Sequence, residues 1–410
     1  MSVKPAYPYW LDAGFRPFFL LGALAMALSV LLWLPIYVGA FSLPTTFTPR
    51  DWHVHAMIFG AVPAIVACFA LTAVANWTGR PPIAGAALLL LVVLWLAGRV
   101  AVSVSLLIGP VAAAICDLAF PAVLAAVFAR EVVAASNYRN LRVVGVVALL
   151  GVADLSFHVE AARNGFVAFS GRAGSAVVLV LIMLVAGRIV PAFTRNWLRA
   201  RGVAANPAAF NRFDGAALAV SALALGLWTI RTEGAATAAC LVLAGVLNLV
   251  RLARWKGHLT VGEPLLFVLH VAYATIPVGF AAVAAAAIAP ETIERASSVH
   301  VWTAGSVGLM TLAVMTRAGR GHSGRPLVAG RLERAMFVAV LVGAAARVAA
   351  PYAAGWVVEV LQFAGLAWAL AYVLFVVGYA PMLLGRQARE SIPPASVSRR
   401  ADAGPTSRLR

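Results

Sequence analysis

The stretch Asp51-Trp52-His53-Val54-His55-Ala56-Met57-Ile58-Phe59-Gly60 places two histidines and a methionine at the start of an apolar run that continues almost to Arg80. About 20 apolar residues are enough to span the hydrocarbon core of a bilayer. The stretch therefore predicts a membrane helix whose first turns carry metal-ligand side chains. Imidazole suits haem iron, copper and zinc, and a thioether favours copper(I) or low-spin haem. Taken alone, the stretch is equally consistent with histidines that hydrogen-bond to loop backbone.

Composition sets the class of protein. Of the residues, 62% are hydrophobic and only 11% are charged, which predicts an all-α, polytopic membrane protein rather than a soluble one. The net charge of +17 comes from arginines in short segments between apolar runs, so topology and lipid phosphate explain it better than nucleic acid does. The cysteines at positions 68, 116 and 240 lie inside apolar runs and match neither a disulfide framework nor a zinc spacing.

The apolar runs predict about twelve transmembrane helices in a single domain, residues 1–385. The break between the third and fourth runs rests on Gly109-Pro110 alone. Residues 386–410 are basic and poor in apolar side chains, which predicts a disordered cytoplasmic tail. The runs are 17–38, 56–77, 83–106, 108–130, 143–162, 173–194, 213–231, 235–253, 264–288, 298–317, 331–350 and 356–384.

Basic residues between the runs predict the orientation. Alternate segments, including both termini, contain 24 arginines and lysines, whereas the intervening loops contain only five. Positively charged loops stay in the cytoplasm, so we expect both termini to be cytoplasmic. The five arginines of the outer loops are Arg50, Arg163, Arg172, Arg231 and Arg295.

Once the sides are assigned, the depth of each histidine follows from the helical rise. His158 lies about 24 Å from the cytoplasmic end of its helix, and His300 about 26 Å from the cytoplasmic end of its own. With His53 and His55, they make a group in the outer third of the membrane. His270 lies about 9 Å from the cytoplasmic side.

Ionisable residues inside membrane runs are costly unless they are paired. Arg99, Asp117, Asp154, Arg347 and Glu359 all fall in the outer half. Each is explained most simply as part of an ion pair between helices. Arginines beside the outer histidines would also suit the propionates of a haem held by imidazole.

The chain resembles the NnrS family of bacterial membrane proteins over nearly its whole length apart from the tail. At Ala56 it departs from the family pattern, where we expect an acidic residue. The segments that carry the resemblance are GFRPFF at 14–19, DWHVHAM at 51–57, NWTGR at 76–80, GRIVPAFTRN at 187–196, LHVAY at 269–273, GLMTLAVMTR at 308–317 and GHSGRPL at 321–327.

The resemblance implies an inner-membrane protein that contains haem and copper and belongs to the nitric oxide response and denitrification. Nitric oxide or a related small molecule is then the expected partner. Neither the resemblance nor the residues indicate whether the protein is an enzyme.

We predict a division of the histidines between the two metals. His55 and His300, at matched depth, are the expected axial ligands of haem, with Arg99 and Arg347 near the propionates. His53, Met57 and His158 are expected to bind copper. His270 is the alternative haem ligand, and other divisions of the same side chains remain open.

Two other classes of function are consistent with the sequence. Twelve helices with buried charges also describe a secondary transporter, although transporter sites usually lie near the midplane within detectable repeats. A redox enzyme acting on nitric oxide or quinol, loosely like the haem-copper oxidases, is the third possibility and rests on analogy of fold.

Overall fold

The computed structural model describes residues 7–385, and all regular secondary structure in that range is helical. Twelve of the helices are long and apolar enough to cross a membrane, which confirms the prediction of a twelve-helix membrane protein. They are α1 (Phe15–Tyr37), α2 (Pro49–Ala75), α3 (Gly85–Ser103), α4 (Pro110–Ala134), α5 (Leu141–Asn164), α6 (Phe169–Arg199), α7 (Arg212–Ile230), α8 (Ala235–Ala253), α9 (Pro264–Ile288), α10 (Arg295–His322), α11 (Arg331–Tyr352) and α12 (Val357–Leu384).

Local sequence explains where the helices next to the histidines begin. Thr48 caps α2 by accepting a hydrogen bond from the Asp51 amide, and Pro49 occupies the first turn, where its missing N–H costs nothing. The predicted break between α3 and α4 is also present. Gly109 there has a φ of +85°, which favours glycine, and Pro110 begins α4.

The helices form a closed bundle. Helices that follow one another in the chain pack together, and α12 packs against α1. The helix α6 also contacts α2 and α10. These last two are the most enclosed, since 78% and 67% of their most apolar segments are buried, against 56% or less for the others. Three of the four outer histidines, His53, His55 and His300, therefore lie on the two most enclosed helices.

Both of these inner helices change from α- to π-helical geometry immediately after a histidine. The π segments are Ala56–Ala61 in α2 and Val301–Val307 in α10. Each helix also has an arginine five residues before that histidine, His55 or His300, and a glycine five residues after it. Single π turns inside α-helices occur frequently at functional sites.

The two ends of the bundle are defined by the chain ends. Arg16, near the start of α1, donates a hydrogen bond of 3.4 Å to the carbonyl of Met382, near the end of α12. We name this end the terminal end and the opposite one the distal end. That the distal end faces outward stays a prediction. The tail predicted for 386–410 lies outside the described residues.

Candidate functional site

Four buried side chains converge between α2, α4 and α5 near the distal end. They are His55, Asp117, Asp154 and His158, which we name the His–Asp cluster. His55 Nε2 is 2.9 Å from Asp117 Oδ2 and 3.0 Å from Asp154 Oδ1. His158 Nε2 is 3.1 Å from the same Asp117 oxygen. One ligand atom from each residue lies within 4.8 Å of the others, so a single metal ion could contact all four.

The helices hold these side chains in place by simple means. Asp154 and His158 are four residues apart on α5, so they lie on one face of the helix. Gly98 lets α3 approach α4 closely, because a Cβ there would lie 2.7 Å from Asp117 Oδ1. The next residue, Arg99, forms an ion pair with Asp117. The cluster therefore depends on small and charged residues of α3 as well.

The charges of the cluster do not balance. Two carboxylates, Asp117 and Asp154, face one guanidinium, that of Arg99. His55 Nε2 faces a carboxylate oxygen on two sides, but a ring nitrogen has at most one proton to donate. Buried charges in a membrane protein are usually paired or bind a cation. A metal cation at this point would supply the missing positive charge.

Aromatic rings surround the two histidines of the cluster. The rings of Phe47, Phe59 and Phe157 have their centroids 5.2–5.6 Å from that of His55. Phe47 also packs against His158, at 5.4 Å. These rings keep the cluster away from the water at the distal end.

Phe47 belongs to the loop between α1 and α2, and Ser105 holds this loop in place. Ser105 Oγ accepts a hydrogen bond of 2.8 Å from the Thr46 amide. The same oxygen is 3.0 Å from Thr46 Oγ1 and 3.2 Å from Thr45 Oγ1. Thr45 Oγ1 in turn donates to the Val102 carbonyl at 2.9 Å. The loop thus acts as a fixed cover over the His–Asp cluster.

A second site lies on the other side of α2. It is a cavity of about 630 Å³, which we name the distal cavity. Its lining is largely apolar and includes His53, Met57 and His300. Its volume lies within the usual range of cofactor sites, about 300–1,000 Å³. The cavity is large enough for an organic cofactor, unlike the His–Asp cluster.

The two histidines of the distal cavity have different surroundings. His300 Nδ1 donates a hydrogen bond of 2.5 Å to the Ala296 carbonyl, which leaves Nε2 of the neutral ring as a free ligand atom. The His53 ring packs on Trp33, with ring centroids 4.6 Å apart. Within residues 7–385, the buried His53 Nδ1 has no hydrogen-bond partner. Both rings are thus available as ligands.

The rim of the distal cavity is basic. Four arginines line it at the distal ends of their helices, together with the acidic residues Asp51 and Glu294. Asp51 is used structurally, since it accepts hydrogen bonds from Thr48 Oγ1 and the Val167 amide. The rim therefore suits the negative groups of a ligand. The arginines are Arg50, Arg172, Arg295 and Arg347.

The structure places the predicted site residues in three locations. It brings His55 together with His158, and His53 together with His300, so the predicted axial pair His55 and His300 belongs to two different sites. Likewise, Met57 lines the cavity with His53, whereas His158, the third predicted copper ligand, lies in the cluster.

The remaining predicted residues are also divided. Arg347 lines the distal cavity, whereas Arg99 pairs with Asp117 of the His–Asp cluster. His270 is buried towards the terminal end, where its Nε2 is 3.0 Å from Thr194 Oγ1 and its ring packs against Trp255. It belongs to neither site.

Sequence reasoning did not identify Asp117 and Asp154 as possible ligands, although it placed both in the outer half of the membrane. The spacing of Asp154 and His158 was an available signal, because two ligands four residues apart lie on the same helix face. For Asp117 the sequence held no such signal, since its partners come from α2, α3 and α5.

The residues at both sites fit the groups that the family resemblance implies. The distal cavity combines two imidazoles, an apolar lining and a basic rim, as a haem with its propionates requires. The His–Asp cluster offers two nitrogen and two oxygen ligands, a set that copper(II) accepts. Fold and sites together define a polytopic membrane protein with an enclosed metal-ligand cluster beside a cofactor-sized cavity.

Comparison with known families shows the family to which the chain belongs. A family model described as NnrS protein matches residues 9–387, nearly the whole chain. The chain therefore belongs to the NnrS family, a family of membrane proteins associated with the response to nitric oxide. A comparison with curated proteins found no match.

Proposed function

We propose that the protein binds haem in the distal cavity and copper in the His–Asp cluster, and that it acts in the nitrosative-stress response associated with denitrification. The observation that carries the proposal is the position of His53 and His300 in one apolar cavity with an arginine rim. Membership of the family supports the link to nitric oxide.

Haem is proposed for the distal cavity because the cavity offers partners for the macrocycle, the propionates and the iron. The apolar macrocycle would contact the apolar lining, and the propionates would face arginines such as Arg347. His300 would be the axial ligand through Nε2, since Ala296 fixes the proton on Nδ1. His53 would be the second axial ligand or would face a bound small molecule.

Copper is proposed for the His–Asp cluster because nitrogen and oxygen ligands surround a space with unbalanced negative charge. His55, His158 and Asp154 would bind the ion, and Asp117 would bind it or orient both imidazoles. The rings around the cluster exclude water, which strengthens electrostatic interactions inside it. Met57 would then face the haem rather than copper.

Iron and copper, when bound, supply coordination of nitric oxide and one-electron redox chemistry. The residues of the chain do the rest. They hold each imidazole in one orientation, and they keep the copper site dry through Phe47, Phe59 and Phe157. They also place the two sites side by side on α2. In the bacterial inner membrane, with both termini cytoplasmic, the distal cavity would open towards the periplasm.

The test is the optical spectrum and metal content of the protein purified from membranes. We expect a Soret band, and iron and copper bound in comparable amounts. Iron with no copper would remove the proposed role of the His–Asp cluster. A preparation with full twelve-helix fold but neither haem nor copper would overturn the proposal and favour a transporter.

A further inference from the structure

A small void lies next to the His–Asp cluster, between α2, α4 and α5. Apolar side chains line it, among them Phe59, Val66, Leu124 and Leu150, and it ends at Asp154. Asp154 Oδ1 is 3.0 Å from His55 Nε2, so one side chain separates the void from the centre of the cluster. Phe59 lines the void and also packs on the His55 ring.

The void lies directly beneath the surface that faces lipid. Pro121 and Gly151, which line it where α4 and α5 meet, are only partly buried. Their neighbours Leu149 and Val152 on α5 are 52% and 56% exposed, as expected for side chains in contact with acyl chains. Gly151 keeps the two helices close, since a Cβ there would lie 3.4 Å from Pro121 Cβ. The void is therefore separated from the lipid by the contact between α4 and α5 at these two residues, and from the centre of the cluster by Asp154.

The size of the void restricts what can use it. Its volume is about 10 Å³, close to the lower limit for one water-sized molecule. Apolar cavities of this kind stay dry because water finds too few hydrogen-bond partners in them. Anions are excluded by the cost of moving a charge from water through lipid. A neutral diatomic molecule has no charge and does not depend on hydrogen-bond partners, so neither restriction applies to it. Such a molecule also dissolves readily in the hydrocarbon core.

By contrast, the route from the aqueous side to the cluster is closed. Phe47 covers the cluster at the distal end and is only 9% exposed, and Ser105 fixes its loop. A ligand that arrived from water would have to displace this cover. A ligand that arrived from lipid would pass only apolar side chains such as Val66 and Leu150.

We infer that nitric oxide, as a neutral diatomic gas, reaches the His–Asp cluster from the lipid through the void between α2, α4 and α5. The inference rests on the proposed function of the cluster as a metal site for this gas. To that proposed function, the inference adds the class of ligand that can enter the site and the residues that select this class. Val66 and Leu150 set the width of the passage, and the aromatic rings bar the aqueous alternative.

Krypton tests the route without any bound metal. In crystals of the full chain pressurised with krypton, we expect anomalous density between Phe59, Val66 and Leu150. Val66→Phe should abolish this density, and Leu150→Ala should increase its occupancy. Val152→Phe adds the same ring on the lipid side of α5 and should leave the density unchanged. Density absent from both the native protein and Leu150→Ala would overturn the inference.

The second measurement uses protein loaded with copper and the rate of nitric oxide binding in stopped flow. Val66→Phe should slow binding tenfold or more, whereas Val152→Phe should not change it. Equal rates in all variants, with copper content intact, would refute the lipid route but leave the proposed function standing. If instead no variant holds copper, the proposed function fails, and krypton still reports on the void.

Discussion

His53 and His55 lie two residues apart on α2 and belong to different sites. Two residues correspond to about 200° around a helix, so the side chains point to nearly opposite sides. His53 lines the distal cavity with His300, and His55 lies in the His–Asp cluster with Asp154. The backbone of α2 is therefore the wall between the two sites. A residue of one site can be mutated without changing a residue that belongs to the other.

The distal cavity should lose haem when its imidazoles are removed. His300→Ala removes the proposed axial nitrogen, so we expect the Soret absorbance to fall sharply or to shift, while copper content stays within about a fifth of the native value. His53→Ala should change the spin state. His258→Ala is the control, because this histidine is exposed in a short 3-10 helix between α8 and α9, at the terminal end. A native spectrum in both cavity variants would contradict the assignment.

The His–Asp cluster should lose copper when its charge is reduced. Asp154→Asn keeps the size of the side chain but removes one negative ligand, so copper affinity should fall by about tenfold to a hundredfold. The Soret band should remain. Plasma emission spectrometry after dialysis against a chelator measures the copper content. Simultaneous loss of haem would show that the two sites are not independent.

The ion pair of Arg99 with Asp117 should contribute strongly to stability. Arg99→Met leaves a buried carboxylate without its counter-charge, which typically costs about 3–5 kcal/mol. We expect a lower midpoint of thermal unfolding in detergent. Arg163→Met, at an exposed position, is the matched control. Equal midpoints for the two variants would mean that Asp117 finds another partner.

The cover over the cluster should open more often when Ser105 is changed. Ser105→Ala removes the acceptor of the Thr46 amide, which costs about 1–3 kcal/mol. The open form of the loop should then be about tenfold more populated, and a copper chelator should remove the metal correspondingly faster. Ser156→Ala is the control, since Ser156 donates its hydrogen bond within its own helix, to the Val152 carbonyl. Identical rates would show that Phe47 does not control access.

Reporter fusions test the orientation of the bundle. Alkaline phosphatase is active only outside the cytoplasm, so fusions after Arg163 or Arg231 should be active and fusions after Arg142 or Arg334 inactive. The opposite pattern would place the distal cavity on the cytoplasmic side.

The sequence predicted the number of helices because the length of each apolar run reflects the thickness of the bilayer. It predicted the location of the outer histidines along their helices for a similar reason, since each residue adds a fixed rise. The direction in which His55 and His300 point could not be obtained this way. That direction depends on which helices surround α2 and α10, and on the π segments that follow both histidines.

The predicted pairing of His55 with His300 rested on their depth in the membrane. It shows the difference between the position of a residue along its helix and the direction in which its side chain points. The two residues do occupy corresponding positions, since each precedes a π segment and has an arginine five residues before it. Their neighbours differ, however, because α2 packs on α4 and α5, whereas α10 packs on α9 and α11. Equivalent positions in the chain thus led to two separate sites.

The wall that α2 forms between the sites restricts how this segment can change in evolution. A substitution at a position of α2 that lines one site affects that face of the helix. A second substitution on the same face can then compensate for the first. A single inserted or deleted residue between His53 and His55 would instead change the angle between the two side chains by about 100°. At least one of the two histidines would then leave its site. Among related chains, this segment should therefore vary in residue type but keep its length.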